Sequence, residues 1–120
     1  MASISEYSSE DLHEYAAAFT SDAMEHCDNE DYASAIQNLE CSIAALTELS
    51  RRLPADYEPY LYGAWDTMCL VYYNNLRDVS RARFCETKAL EIAKRCKARR
   101  FTKVVADDVS LFEDRLRNDL

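Results

Sequence analysis

Gly63 is the only glycine in this chain, and only Pro54 and Pro59 accompany it as backbone punctuation. Tight β-hairpins need residues at positive φ, a conformation that glycine adopts at least cost. A chain of 120 residues with one glycine has almost no material for a sheet of short, turn-linked strands. Its abundant Ala, Leu, Glu, Arg and Lys lose little on entering a helix. No segment alternates apolar and polar residues in the strand period of two. The sequence predicts an all-α fold. At this length it predicts one domain, residues 1–120, whose core needs no disulfide or metal.

The helical pattern is clearest from Asp31 to Leu46, DYASAIQNLECSIAAL. Apolar side chains at Tyr32, Ala35, Ile36, Leu39, Ile43 and Leu46 recur three and four apart and form one stripe. Small residues on the same segment, Ala33, Ala35, Ser42 and Ala44, let neighbouring helices come close. Caps and breakers place four more helices. Ser8 or Ser9 starts one over about Glu10 to Cys27, with Glu10 and Asp11 at its positive end. Its inward stripe is expected at Leu12, Tyr15, Ala16, Phe19 and Ala23, with His26 or Cys27 as its last member. Asn29 or Asp31 caps the second helix, which runs to Arg52 and stops ahead of Pro54. Asp56 is the expected cap of a third, Tyr57 to Asn75, apolar nearly all round and therefore central. Asp78 caps a fourth, Val79 to Lys97. A fifth, Arg100 to Asn118, carries one stripe through Phe101, Val105, Val109, Phe112 and Leu116. Short turns link helices one and two, and three and four. The expectation is about five antiparallel helices, two helical hairpins plus a C-terminal capping helix.

That layout resembles the tetratricopeptide (TPR) repeat, with DYASAIQNLECSIAAL as the second helix of the first motif. Phe19, Ala23, Tyr32, Ala35 and Leu39 fit its large and small positions. In the second hairpin Tyr73, Ala82 and Ala89 fit, and RARFCETKALEIAKR is similar to the motif's second helix. Asp22, Asp66 and Glu86 stand where the family has apolar or bulky residues. The interval from Ala35 to Ala82 is 47 residues, against about 34 in the family. The resemblance spans about residues 9–97. It implies a TPR-like scaffold that holds a peptide or helix of another protein in a concave groove.

Charge is divided along the chain. Residues 1–76 carry 14 acidic and 2 basic side chains, and residues 77–120 carry 8 and 12. An acidic first half repels phosphates, which argues against direct nucleic-acid binding and suits a basic protein partner. The five cysteines, Cys27, Cys41, Cys69, Cys85 and Cys96, are odd in number and lack CxxC spacing. They read as reduced, mostly buried thiols of a cytoplasmic protein. The start, MASISEYSSEDLHEY, has no basic-then-apolar leader, and no apolar run reaches the roughly 20 residues of a membrane span. One glycine leaves no phosphate-cradling loop or dinucleotide fingerprint. There is no HExxH, no metal-spaced cysteine pair and no GxSxG. Glu25, His26, Cys27 and Asp28 are consecutive on a helix and so point apart. The expectation is a non-enzymatic protein with no catalytic residue, cofactor or metal.

Two clusters are candidates for contact with a partner. Tyr57, Tyr60, Tyr62 and Trp65, with Tyr72 and Tyr73 beyond them, form a denser aromatic group than a core needs. Tyr and Trp are enriched at interfaces because they combine area with a polar tip. The run KRCKARRFTK supplies Arg95, Arg99 and Arg100, suited to a phosphate, RNA or an acidic peptide, although its place at a helix end also suits the dipole. The expected function is protein–protein interaction, as an adaptor working through a groove or aromatic patch. Two alternatives stay open: a chaperone for one partner, and an acidic nucleic-acid mimic that inhibits a basic protein. Two hairpins are few for a repeat array, so a leftover apolar face should meet a partner or a second copy of the chain in a homodimer.

Overall fold

The computed structural model describes residues 3–101 and 108–120. Five α-helices make up most of it: α1 (Ser9–Asp28), α2 (Tyr32–Arg52), α3 (Pro54–Leu70), α4 (Val79–Ala98) and α5 (Asp108–Asn118). A 3-10 turn, Ile4–Glu6, precedes α1, and a π-helical turn, Val71–Asn75, ends α3. No strand occurs among the described residues, and no described helix is long and apolar enough to cross a membrane. Each helix packs mainly on the next in sequence, α1 on α2, α2 on α3, α3 on α4 and α4 on α5. The molecule is a slab of 41 × 37 × 20 Å, about two helices deep.

The core is built on α2, as its stripe predicts. Ala35, Ile36, Leu39, Ile43, Leu46 and Leu49 are buried, with Leu39 only 1% exposed. Ser42 is buried beside them and donates its hydroxyl to the Ala16 carbonyl at 3.1 Å, tying α2 to α1. From α1 come Leu12, Ala16 and Ala23, and from α4 come Ala82, Cys85, Ala89, Ile92, Ala93 and Cys96. Tyr15 is not part of the inward stripe. It is 43% exposed and meets Tyr7 edge-on at 5.4 Å.

The helix starts follow their caps. Ser8, Asp31 and Asp78 each accept a hydrogen bond from the backbone N–H three residues on, at 3.1, 3.2 and 3.0 Å. The third helix departs from expectation. Leu53, not Asp56, is its cap residue, and Pro54 occupies its first turn. Proline fits there because that N–H would have no intrahelical partner. One residue therefore separates α2 from α3.

The chain meets its shortage of glycine by placing other residues at positive φ. Glu30, Arg77 and Arg100 have φ of 60°, 55° and 57°. At the end of α1 the Glu30 and Asp31 N–H groups bond back to the Cys27 and His26 carbonyls, at 3.1 and 2.8 Å. At the end of α4 Arg100 and Phe101 do the same to Lys97 and Cys96, at 3.1 and 3.2 Å. Both are Schellman closures, which normally carry glycine. This corrects the expected start of the last helix at Arg100. Arg100 and Phe101 belong to the α4 terminus, while Val105 lies outside the described residues. The described part of α5 still shows one stripe, with Val109 and Phe112 buried.

Candidate partner-binding groove

The chain reverses between α1 and α2 and again between α2 and α3, so α1 and α3 run parallel with α2 behind them. Near their starts the two walls touch. The Tyr57 hydroxyl lies 3.1 Å from His13 Nδ1, and the two rings meet edge-on at 5.9 Å. Beyond that contact lies an open groove of about 640 Å³. One wall is Ala16, Ala17, Thr20 and Ser21 of α1. The other is Tyr60, Gly63, Ala64 and Thr67 of α3, and Leu39 and Leu46 of α2 form the floor.

Both threonines of the groove are partnered from within. Thr20 Oγ1 sits 2.8 Å from Ser42 Oγ, and Thr67 donates to the Gly63 carbonyl at 3.0 Å. Gly63 itself is helical with negative φ, and a Cβ built on it would meet nothing within 4 Å. Neither backbone strain nor packing requires a glycine here, yet glycine inside a helix costs roughly 0.5–1 kcal/mol relative to alanine.

The aromatic candidates separate. Tyr60 is 56% exposed on the groove lip, with its ring 6.4 Å from that of Tyr57. Tyr57 is half-buried against His13. Trp65 is half-buried and meets Phe84 of α4 edge-on at 6.0 Å. Phe84 is 57% exposed and has the Lys88 ammonium 5.6 Å from its centroid. Tyr62 is a correction to the expected partner surface. It is buried, its hydroxyl donates to Asp108 at 2.6 Å, and its ring packs edge-on against Phe112. It is turned away because Tyr60 and Tyr62 are two residues apart on a helix and face different sides.

The basic candidates have internal work. Arg95 donates to Glu58 of α3 at 3.1 Å, and Arg99 approaches the same carboxylate at 3.7 Å. Glu58 is buried, so this is a paired internal charge joining the start of α3 to the end of α4. Arg100 is exposed and holds the positive-φ position of the α4 closure.

A second buried charge cluster lies where α3, α4 and α5 meet. Arg115 donates to Asp66 and, at 3.0 Å, to Glu86. Glu86 has no exposed surface. Burial, with Asp66 nearby, pushes its carboxyl up to about 7, while Arg115 draws it back. Burial also raises Cys69 and Cys85 to about 12 and Cys96 to about 11. These thiols stay protonated and behave as small apolar side chains. Cys41 is exposed. Among the described residues no three His, Cys, Asp or Glu gather to hold a metal ion.

Sequence reading missed Gly63, Ala17 and His13 as one surface, and missed Phe84. The available signals were a lone glycine within a helical pattern and the run Ala16, Ala17, Ala18 at the facing position. Asp66 and Glu86, polar at expected bulky positions, did signal a departure, but not that Arg115 would join them. The chain matches no protein-family model, no curated protein and no solved structure.

Proposed function

We propose that this is a non-enzymatic protein–protein interaction module that receives a segment of another protein in the groove between α1 and α3. The observation that carries this reading is Gly63. It lies at mid-helix with no neighbour above it, on an apolar wall beside an exposed tyrosine. Two helix hairpins cover α3 from the α2 and α4 sides and leave this side open. The resemblance of residues 9–97 to TPR repeats supports the same use of the groove. Tyr57 and Tyr60 remain the aromatic contacts of this proposal, with Tyr60 central, while Trp65 turns toward Phe84 of α4 and does not line the groove.

The test is affinity capture by wild-type protein and by Gly63→Trp and Phe84→Ala variants, each checked for helical content. The expected result is a partner retained by wild type and Phe84→Ala and lost by Gly63→Trp. Equal retention by all three removes the groove from the function.

A further inference from the structure

We infer that the occupant of the groove is a basic amphipathic α-helix, a deepening that rests on the function proposed above. Three observations fix its chemistry. First, the groove offers an incoming backbone very few hydrogen-bond partners. Its lining contains no Asn, Gln, Lys or Arg. The Thr20 hydroxyl is already engaged with Ser42, Thr67 with Gly63, and Tyr57 with His13, and the other two lining hydroxyls, Ser21 and Tyr60, belong to exposed residues. An extended peptide would bury unpaired N–H and C=O groups against this wall. A helix satisfies its own backbone and presents only side chains.

Second, the α1 wall is flanked by exposed negative charge, and neither wall carries a Lys or Arg of its own. Neither α1 nor α3 contains a Lys or Arg, and the first such residue in the chain is Arg51. Exposed carboxylates at Glu10 and Glu14 lie one turn from the lining residues His13 and Ala17, and Asp22 follows Ser21. The nearest basic residues in sequence, Arg51 and Arg52, pair with Glu48 at the end of α2, and Arg52 also donates to Ser9 and Ser5 at the start of α1, so both are committed within the chain. Lys and Arg on the flanks of an incoming helix would meet the acids, and its apolar face would meet Leu39, Leu46 and the alanines.

Third, the space over Gly63 admits close approach. Small residues on one helix let the backbone or a bulky side chain of another settle against it. Alanine at position 63 would fit without a clash and would raise helix propensity.

The experiment uses the full chain and three labelled synthetic peptides of about 20 residues, long enough to hold a helix. One has leucines at helical spacing with Lys and Arg elsewhere. The second replaces the cations with Glu. The third keeps the basic composition but carries a central proline. Binding is read by fluorescence anisotropy at low and high salt, against wild type, Ala17→Arg and Gly63→Trp. The basic helix is expected to bind at least about tenfold more tightly than the acidic one, with the gap closing in high salt. The proline peptide should lose most of that affinity. Ala17→Arg, at an exposed position, should weaken the basic peptide and keep the fold. Equal binding of basic and acidic helices overturns the charge assignment and leaves the groove standing. Equal binding of the proline peptide overturns the helix. Failure of all three peptides, or wild-type binding by both groove variants, removes the groove itself.

Discussion

Arg115, on the last helix, donates to the carboxylate of Glu86 at 3.0 Å, and Glu86 has no exposed surface. The same guanidinium serves Asp66, 49 residues earlier in the chain. Two carboxylates and one guanidinium leave an excess negative charge inside. Among the described residues Glu86 Oε1 has no hydrogen-bond partner, in keeping with a carboxyl that takes up a proton easily.

Removing Arg115 should therefore be costly. Arg115→Met leaves Glu86 and Asp66 without their cation and is expected to destabilise the protein by about 3–5 kcal/mol. Urea unfolding followed by circular dichroism measures it. Arg117→Met, on the exposed side of α5, is the control and should stay within about 0.5 kcal/mol.

The pH dependence follows from the sign of the Glu86 shift. Its folded pKa of about 7 lies above the ordinary glutamate value of 4.5, so the folded state binds the proton more tightly. The resulting stabilisation is complete below about pH 4.5 and is lost as pH rises through about 7, on the order of 3 kcal/mol. Asp31 and Asp78 act in the opposite sense. Hydrogen bonds from Ser34 and Arg81 lower both carboxyls, so their contribution is lost only as pH falls below the ordinary carboxylate range. Unfolding free energy should peak in mild acid and decline toward neutrality. Glu86→Gln should flatten that decline; an unchanged slope would detach it from Glu86.

The α2 stripe predicts a contrast between faces. Leu39→Ala and Ile43→Ala should each cost about 2–5 kcal/mol, because both side chains are buried. Gln37→Ala is exposed and should change stability by no more than about 0.5 kcal/mol. Thermal or urea unfolding of the three variants decides whether the stripe is the core.

The positive-φ positions among the described residues offer the reverse case. Arg100→Gly and Glu30→Gly each relieve a left-handed conformation that costs an L-residue roughly 1–2 kcal/mol. Each should raise stability by about 1 kcal/mol, reduced by the larger entropy of glycine in the unfolded chain. A drop in melting temperature for both would mean that the Schellman closures do not hold these residues in the left-handed region.

The helices were legible because their causes are local. The three-and-four spacing around Leu39 and the caps at Ser8, Asp31 and Asp78 lie within a few residues of the structure they specify. The start of α3 was misplaced because Pro54 both ends one helix and begins the next, and local rules do not choose between these roles. The groove was only half legible. The aromatic density drew attention to Tyr57 and Tyr60, but it could not separate Tyr60 from Tyr62, which differ only in the side of α3 they occupy.

What the sequence by itself determined is an all-helical chain organised on α2, since periodicity, caps and a lack of glycine act over one or two turns. Only the tertiary structure decided which face of α3 stays open, that Arg95 and Arg99 neutralise Glu58, and that Arg115 reaches Asp66 and Glu86. Those outcomes join residues tens of positions apart. They depend on how helices stack, and neither side-chain spacing nor local propensity encodes that.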